Sequence, residues 1–305
     1  MEINREKNAK TILALFIVIS HLPIGYFFEK INYLPVAAFL FFSGYGLMKK
    51  NNLGKKFDFF KSFIKVYIPY IIITCIYLFL FSDVNLSILL KNILLINIDL
   101  PYSWYVRTQI LLYIIWFLSQ KFNSDIKKIY VCLFLIILYV VIFYLTGQIF
   151  TSYKTIFCFL FGVIYAYNEK KWKNFDYLNL IGAIIFLSLM IVVIFNRNSH
   201  DFFDFLLYNM SGIVFCEIVY YFILNYNFEF KILNKIKNIY YEIYLVQGVS
   251  QCIFMKTYFC DKSLLYLQNK FLILILSFSC TIIFAALLKK IDDKIFSIIY
   301  KRKEV

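Results

Sequence analysis

Apolar blocks of similar length are the main feature of this sequence. A helix crosses the hydrocarbon core of a bilayer in about 20 residues, with a range of about 17–25. Ten apolar runs approach that length, at roughly 11–28, 33–48, 63–81, 102–118, 129–146, 149–167, 178–195, 205–224, 239–259 and 270–288. The pattern predicts an all-α, polytopic membrane protein with about ten transmembrane helices.

Two further segments are predicted to lie at the membrane surface. Residues 86–96 are apolar but too short to cross a bilayer. In the tail, 289–305, Ile291 and Ile295 lie near one face of a helix, which is typical of an amphipathic helix at the cytoplasmic interface. No soluble domain is recognisable, so residues 1–305 are interpreted as one membrane-embedded domain.

The distribution of charge predicts the orientation. The chain carries 32 Lys and Arg and has a net charge of +14. If the N-terminus is cytoplasmic, 24 of these 32 residues fall in inner segments and 8 elsewhere. Cytoplasmic loops of membrane proteins are enriched in Lys and Arg, so both termini are predicted to be cytoplasmic. The positive charge is therefore assigned to an anionic membrane surface, and no nucleic-acid partner is expected.

Composition supports a membrane protein and gives no indication of a metal site. The chain is 62% hydrophobic and only 16% charged, whereas soluble domains are about 25% charged. Its 7 cysteines form no Cys-x-x-Cys pair, and six of them lie in apolar runs. They are interpreted as buried packing residues rather than as metal ligands or disulfides.

Polar residues inside a predicted span are expensive, and each is a functional candidate. His21 lies near the middle of the first span, and Pro23 predicts a helix kink beside it. Lys10 precedes His21 by eleven residues, which is about 16 Å along a helix. The pair would join the cytoplasmic interface to the membrane centre, a distance comparable to a long phosphorylated carrier arm. The alternative roles are a membrane anchor for Lys10 and packing for His21.

Other spans also carry polar or small residues that could line a site. Gly44 and Gly46 in the second span permit close helix approach. The remaining candidates are Ser43 and Tyr45 in the second span, Trp104 and Arg107 in the fourth, Glu217 in the eighth, and Glu242, Tyr244, Gln247 and Gln251 in the ninth. Tyr102 and Trp104 fit an outer aromatic belt, and Arg107 fits either a snorkelling or a ligand-binding side chain.

These residues resemble an ordered set of motifs in the membrane-embedded acyltransferase family 3. That family opens with a basic residue, ten intervening residues and a histidine, as at Lys10 and His21. Residues 39–45 (FLFFSGY), 104–106 (WYV) and 240–247 (YYEIYLVQ) resemble its later motifs. The order of the motifs and the ten-span layout agree over essentially the whole chain. The chain departs from the pattern at Tyr240, where the family usually has Ser, and at Gln247, where it usually has His.

The resemblance implies transfer of an acyl group, expected to be acetyl, from cytoplasmic coenzyme A to a sugar hydroxyl. The acceptor would be a polysaccharide or lipid-linked glycan outside a bacterial plasma membrane. Lys10, with Arg5, would hold the phosphates of acyl-CoA, and His21 would act as the general base or relay the acyl group. The implied site lining comprises Ser43, Tyr45, Trp104, Arg107, Glu217, Glu242, Tyr244 and Gln247. Glu217 or Glu242 could orient His21.

Two other functions remain open at this stage. A polytopic transporter or flippase would also carry polar groups at mid-membrane, although transporters often use broken helices. The low content of 9 Gly and 4 Pro argues modestly against it. A non-catalytic member of the same family is the other alternative, because the Gln247 departure leaves His21 as the only histidine in a predicted span.

Overall fold

A computed structural model describes residues 2–22, 26–81, 85–96, 100, 102–172, 176–195, 201–225, 231–236, 238–256 and 263–301. Its helices are α1 (Glu2–Ser20), α2 (Tyr26–Ile31), α3 (Tyr33–Asn52), α4 (Phe59–Phe81), α5 (Leu86–Ile93), α6 (Ser103–Ser119), α7 (Asp125–Leu145), α8 (Phe157–Trp172), α9 (Asp176–Phe195), α10 (Phe202–Asn225), α11 (Lys231–Ile236), α12 (Tyr240–Phe254) and α13 (Lys270–Lys301). A short 3₁₀ helix covers Phe150–Ser152. No strand occurs among the described residues, so the predicted all-helical class is confirmed.

Helices occupy all ten predicted spans. In the part of the chain that the structure describes, five stretches are long and apolar enough to cross a membrane. These are Phe59–Phe81, Asp125–Leu145, Phe150–Glu169, Phe202–Ile223 and Lys270–Tyr300. The chain is therefore a multi-pass membrane protein. The full count of ten spans and the cytoplasmic position of both termini stay predictions.

The outer surfaces of these helices are suited to lipid. Large apolar side chains are exposed along them, including Phe79 at 83%, Leu145 at 75% and Phe134 at 65% of their surface. Extended apolar surface of this kind is unusual on a soluble monomer. In a bilayer it faces hydrocarbon, where the helix satisfies its own backbone hydrogen bonds.

The chain divides into two compact units. The first unit comprises Met1–Ala9, Glu29–Phe59 and Thr108–Phe228. The second unit comprises Lys10–Phe28, Phe60–Arg107 and Glu229–Val305. Both units draw on segments that are far apart in the sequence.

Two glycines allow the backbones of α3 and α8 to meet in the first unit. A Cβ atom at Gly44 would overlap the carbonyl oxygen of Phe159, and one at Gly162 would overlap the carbonyl oxygen of Phe41. A Cβ at Gly46 would have no neighbour within 4 Å. The predicted role in close helix approach is therefore confirmed for Gly44 but not for Gly46.

A buried polar cluster also stabilises the first unit. The hydroxyls of Tyr45 and Tyr220 donate to Glu169 Oε1 over 3.1 and 2.9 Å, and the two hydroxyl oxygens are 3.0 Å apart. Lys49 pairs with Oε2 of the same carboxylate. Glu169 is only 7% exposed, so each of these contacts offsets the cost of burying its charge.

In the second unit, α12 packs against α13. Their polar link joins Lys289 Nζ to Glu242 Oε1 over 3.5 Å and to Asp293 Oδ1 over 3.0 Å. The α13 helix runs without a break from Lys270 to Lys301, so the predicted surface tail continues the last predicted span. The predicted short segment at 86–96 contains α5. Asn85 caps the start of this helix, because its side chain accepts a hydrogen bond from the Ile88 amide.

Candidate active site

His21 is the first residue after α1. The helix ends in a tight turn whose hydrogen bonds reach back three residues. The His21 amide donates to the Val18 carbonyl over 3.3 Å, and the Leu22 amide donates to the Ile19 carbonyl over 3.1 Å. Pro23 lies outside the described residues, but its ring would disfavour helix at this point. The sequence predicted a kink beside His21, and the structure ends the helix there.

A chain of aromatic rings leads from His21 to α12. The imidazole meets the ring of Tyr102 edge-to-face at a centroid distance of 5.9 Å. Tyr102 contacts Tyr244 at 5.0 Å, and Tyr244 contacts Tyr105 at 4.9 Å. All three tyrosines are buried, whereas His21 is half-buried. The imidazole therefore has a packed wall on one side while part of its surface stays accessible.

Tyr102 is the residue that sequence analysis missed. It was interpreted as part of an outer aromatic belt, yet it is buried against both His21 and Tyr244. Its φ of 73° lies in the left-handed region, which a bulky residue adopts at a cost of about 1–3 kcal/mol. Strain of this kind is often found at functional sites. Nothing in the local sequence signals it, because the conformation depends on the packing around the start of α6.

One face of α12 approaches the end of α1. Gln251 Nε2 donates to the Val18 carbonyl over 3.3 Å, three residues before His21. Tyr244, on the same face, contacts the His21 partner Tyr102. Gln247 lies between them, three residues after Tyr244 and four before Gln251, so it shares that face.

Gln247 is completely buried, at 0% exposure. Neither its Nε2 nor its Oε1 atom has a hydrogen-bond partner within the described part of the chain. Buried carboxamides are normally hydrogen-bonded in folded proteins, so a side chain in this state requires an explanation.

A narrow cavity lies beside a different face of α12, which carries Leu245, Gly248 and Val249. Its walls include Tyr77 of α4, Leu100, Tyr102, and Gly248 and Val249 of α12. Its interior has room for little more than one water-sized group. Tyr102 therefore contributes both to this wall and to the contact with His21.

Lys10 lies within α1, eleven residues before His21. The segment from Lys10 to Ser20 is continuous helix, so the two residues are separated by about 16 Å, as the spacing predicted. The Lys10 ammonium lies over the ring of Tyr240, 5.5 Å from its centroid. Tyr240, one of the two departures from the family pattern, thus contacts the basic residue. Arg5 occupies the part of α1 that belongs to the first unit.

The structure places three other predicted lining residues in the first unit. Ser43 Oγ accepts a hydrogen bond of 2.6 Å from Gln109 Nε2, and Tyr45 belongs to the Glu169 cluster. Glu217 lies opposite α9, where a Cβ at Gly182 would be 3.9 Å from Glu217 Oε2. Their place in the lining of the acyl-transfer site stays a prediction.

Three further predicted lining residues lie in the second unit. Trp104 packs edge-to-face on Tyr105 at 6.1 Å, which connects it to the aromatic chain. Arg107 occupies the next turn of α6, at the end of the same unit. Glu242 is paired with Lys289 on α13 over 3.5 Å. Orientation of His21 by Glu217 or Glu242 stays a prediction.

Comparison with known protein families identifies the family of this chain. The family model described as an acyltransferase domain matches residues 7–290, which includes Lys10, His21 and the whole α12 face. No curated protein and no solved structure gives a significant match. A match over nearly the entire chain, together with a helical fold that carries several apolar spans, shows that this chain belongs to the membrane acyltransferase family 3.

Proposed function

We propose that this protein is an O-acyltransferase of the bacterial plasma membrane. It would transfer an acetyl group from cytoplasmic acetyl-CoA to a sugar hydroxyl of an extracytoplasmic glycan. The observation that carries the proposal is the position of His21. A half-buried imidazole directly follows the helix that carries Lys10, and it is packed against strained Tyr102.

The reaction needs one group that moves a proton. The acceptor hydroxyl oxygen attacks the thioester carbonyl carbon, forming a C–O bond, and the C–S bond then breaks. His21 removes the proton from the hydroxyl and delivers it to the departing coenzyme A sulfur. An unperturbed imidazole titrates near pH 6.5, which suits a group that must accept and release a proton near neutrality.

The edge-to-face contact with Tyr102 would hold the imidazole in place for that transfer. The His21 and Tyr102 ring planes are inclined by 65°, so the tyrosine restricts rotation of the histidine without using a ring nitrogen. The packing of Tyr102 against Tyr244 fixes the tyrosine in turn. A catalytic group that is already held in its reactive orientation accelerates the reaction, because less entropy is lost on reaching the transition state.

Lys10 would hold the phosphates of coenzyme A about 16 Å before His21 along the same helix. An ammonium forms charge-assisted hydrogen bonds with phosphate oxygens, and Tyr240 restricts its motion through the cation–π contact. The helix between Lys10 and His21 would then be a ruler of about 16 Å for the pantetheine arm. Arg5 would add positive charge further toward the N-terminus.

The Lys10 assignment gives a testable difference between two variants. Lys10→Arg is expected to retain transfer, because the charge remains, whereas Lys10→Ala should raise the KM for acetyl-CoA about tenfold, the effect of losing one charge-assisted bond. Steady-state kinetics with purified protein would measure both, with the acceptor KM as the internal control. An unchanged donor KM in Lys10→Ala would reduce Lys10 to a topology anchor.

The proposed activity is tested with the purified protein in lipid vesicles. Radiolabelled acetyl-CoA and a glycan preparation are supplied, and labelled glycan is counted after removal of free donor. An acyltransferase yields labelled glycan and an equal amount of free thiol. A flippase or transporter would move glycan across the vesicle membrane without labelling it, and a non-catalytic relative would do neither.

A further inference from the structure

The Gln247 carboxamide is a strong candidate for a ligand-binding group. It is fully buried, and both of its polar atoms lack a hydrogen-bond partner among the described residues. Leaving buried polar groups unpaired destabilises a fold, and the described residues supply no partner for this one, so its donors are available to a bound ligand. The neighbouring buried residue Ser250 differs, because its hydroxyl donates to the Val246 carbonyl over 3.1 Å.

The position of Gln247 indicates which ligand that partner belongs to. The residues one helical turn away on either side, Tyr244 and Gln251, both lead to the His21 end of α1. The carboxamide therefore faces the region where the proposed acyl transfer takes place. Its Nε2 group offers two N–H donors that no described residue uses.

We propose that Gln247 Nε2 donates a hydrogen bond to the carbonyl oxygen of the acyl group during transfer. This inference rests on the proposed function. When the acceptor oxygen bonds to the carbonyl carbon, the π electrons of the C=O bond move onto its oxygen, and they return when the C–S bond breaks. A donor in a buried, water-excluded site stabilises that transient negative charge strongly, because it is already oriented when the charge forms.

The donor role is tested with three substitutions at one position. Gln247→Leu keeps a similar size but has no N–H, and Gln247→Glu keeps the shape but replaces the donors with oxygen. Both are expected to lower kcat for acetyl transfer by about 10²–10³-fold, with a nearly unchanged KM for acetyl-CoA, because the bond forms mainly in the transition state. Gln247→His retains one N–H donor and should keep more activity than either.

Stability and a matched control separate catalysis from packing. Gln247→Leu should melt at or above the wild-type temperature, since it removes an unpaired buried carboxamide. Ser250→Ala, elsewhere on α12, should keep wild-type kcat. Near wild-type kcat in Gln247→Leu, or a kcat loss that is matched by an equal loss of folded protein in both Gln247→Leu and Gln247→Glu, would overturn the donor role.

Failure of the donor role and failure of the proposed function are distinguishable. In the first case the wild type still transfers acetyl and His21→Gln still lowers transfer by about 10²–10⁴-fold. In the second case the wild type transfers none.

Discussion

Replacing His21 with glutamine is expected to lower acyl transfer by about 10²–10⁴-fold, the usual contribution of a general acid–base group. Glutamine keeps approximate size and hydrogen-bonding capacity, but it cannot take up a proton near neutral pH. The edge of the Tyr102 ring should still find a planar partner, so insertion and folding should be unaffected. Initial rates of labelled acetyl transfer, normalised to purified protein, measure the loss.

The chain provides its own control for that substitution. It has only 2 histidines, and the other, His200, is predicted to lie in a polar outer segment and lies outside the described residues. His200→Gln should transfer acetyl at the wild-type rate. If His21→Gln folds normally and keeps near wild-type activity, the catalytic assignment is wrong and the imidazole serves packing alone.

The second large effect is expected from alanine at Gly162. The new Cβ would meet the Phe41 carbonyl oxygen and would also approach the Tyr45 amide at 2.9 Å, so backbone rather than a flexible side chain obstructs it. Insertion of atoms into a packed core usually costs about 1–3 kcal/mol, and we expect the upper end of that range because α3 and α8 must separate. In Gly44→Ala the new Cβ would overlap the carbonyl oxygen of Phe159 on the other helix, so a similar loss of stability is expected.

Gly46 is the matched control for these glycines. It lies two residues after Gly44 on the same helix, but a Cβ there has no neighbour within 4 Å. Gly46→Ala should therefore melt at or slightly above the wild-type temperature, since alanine favours helix. Thermal unfolding in detergent, followed by size-exclusion chromatography of the remaining folded protein, compares the three variants. Equal melting temperatures would show that α3 and α8 pack less tightly than the structure indicates.

The sequence predicted the helices well because their signal is local. Apolar runs of near-membrane length each coincide with a helix, within a few residues at most ends. The prediction was least accurate where a boundary depends on tertiary packing. The predicted last span, 270–288, and the predicted surface tail form one continuous helix, in which Lys289 bonds to Asp293 and to Glu242 on α12.

The candidate site was only partly predictable. The spacing of Lys10 and His21 along one helix is a local property, and the structure preserves it. The roles of Tyr45 and Glu242 depend on distant partners, Glu169 and Lys289, which no spacing rule brings together. The same physical reason explains why Tyr102 was missed.

Gln247 shows how a departure from a family pattern acquires meaning in three dimensions. In the sequence, glutamine at a usual histidine position left His21 as the only histidine in a predicted span. In the structure, the carboxamide is buried without a partner among the described residues, on the face of α12 that approaches the His21 end of α1. The side chain therefore keeps N–H donors where a histidine would have offered one.

The central claim is that this membrane protein O-acetylates a glycan by means of His21. Mass spectrometry of surface glycans from cells that carry the wild-type gene, the His21→Gln variant or no gene tests it most directly. The account predicts glycan repeats heavier by one acetyl group in wild-type cells, and the unmodified mass in both other strains. Identical glycan masses in all three strains, or acetylated glycan in the His21→Gln strain, would contradict it.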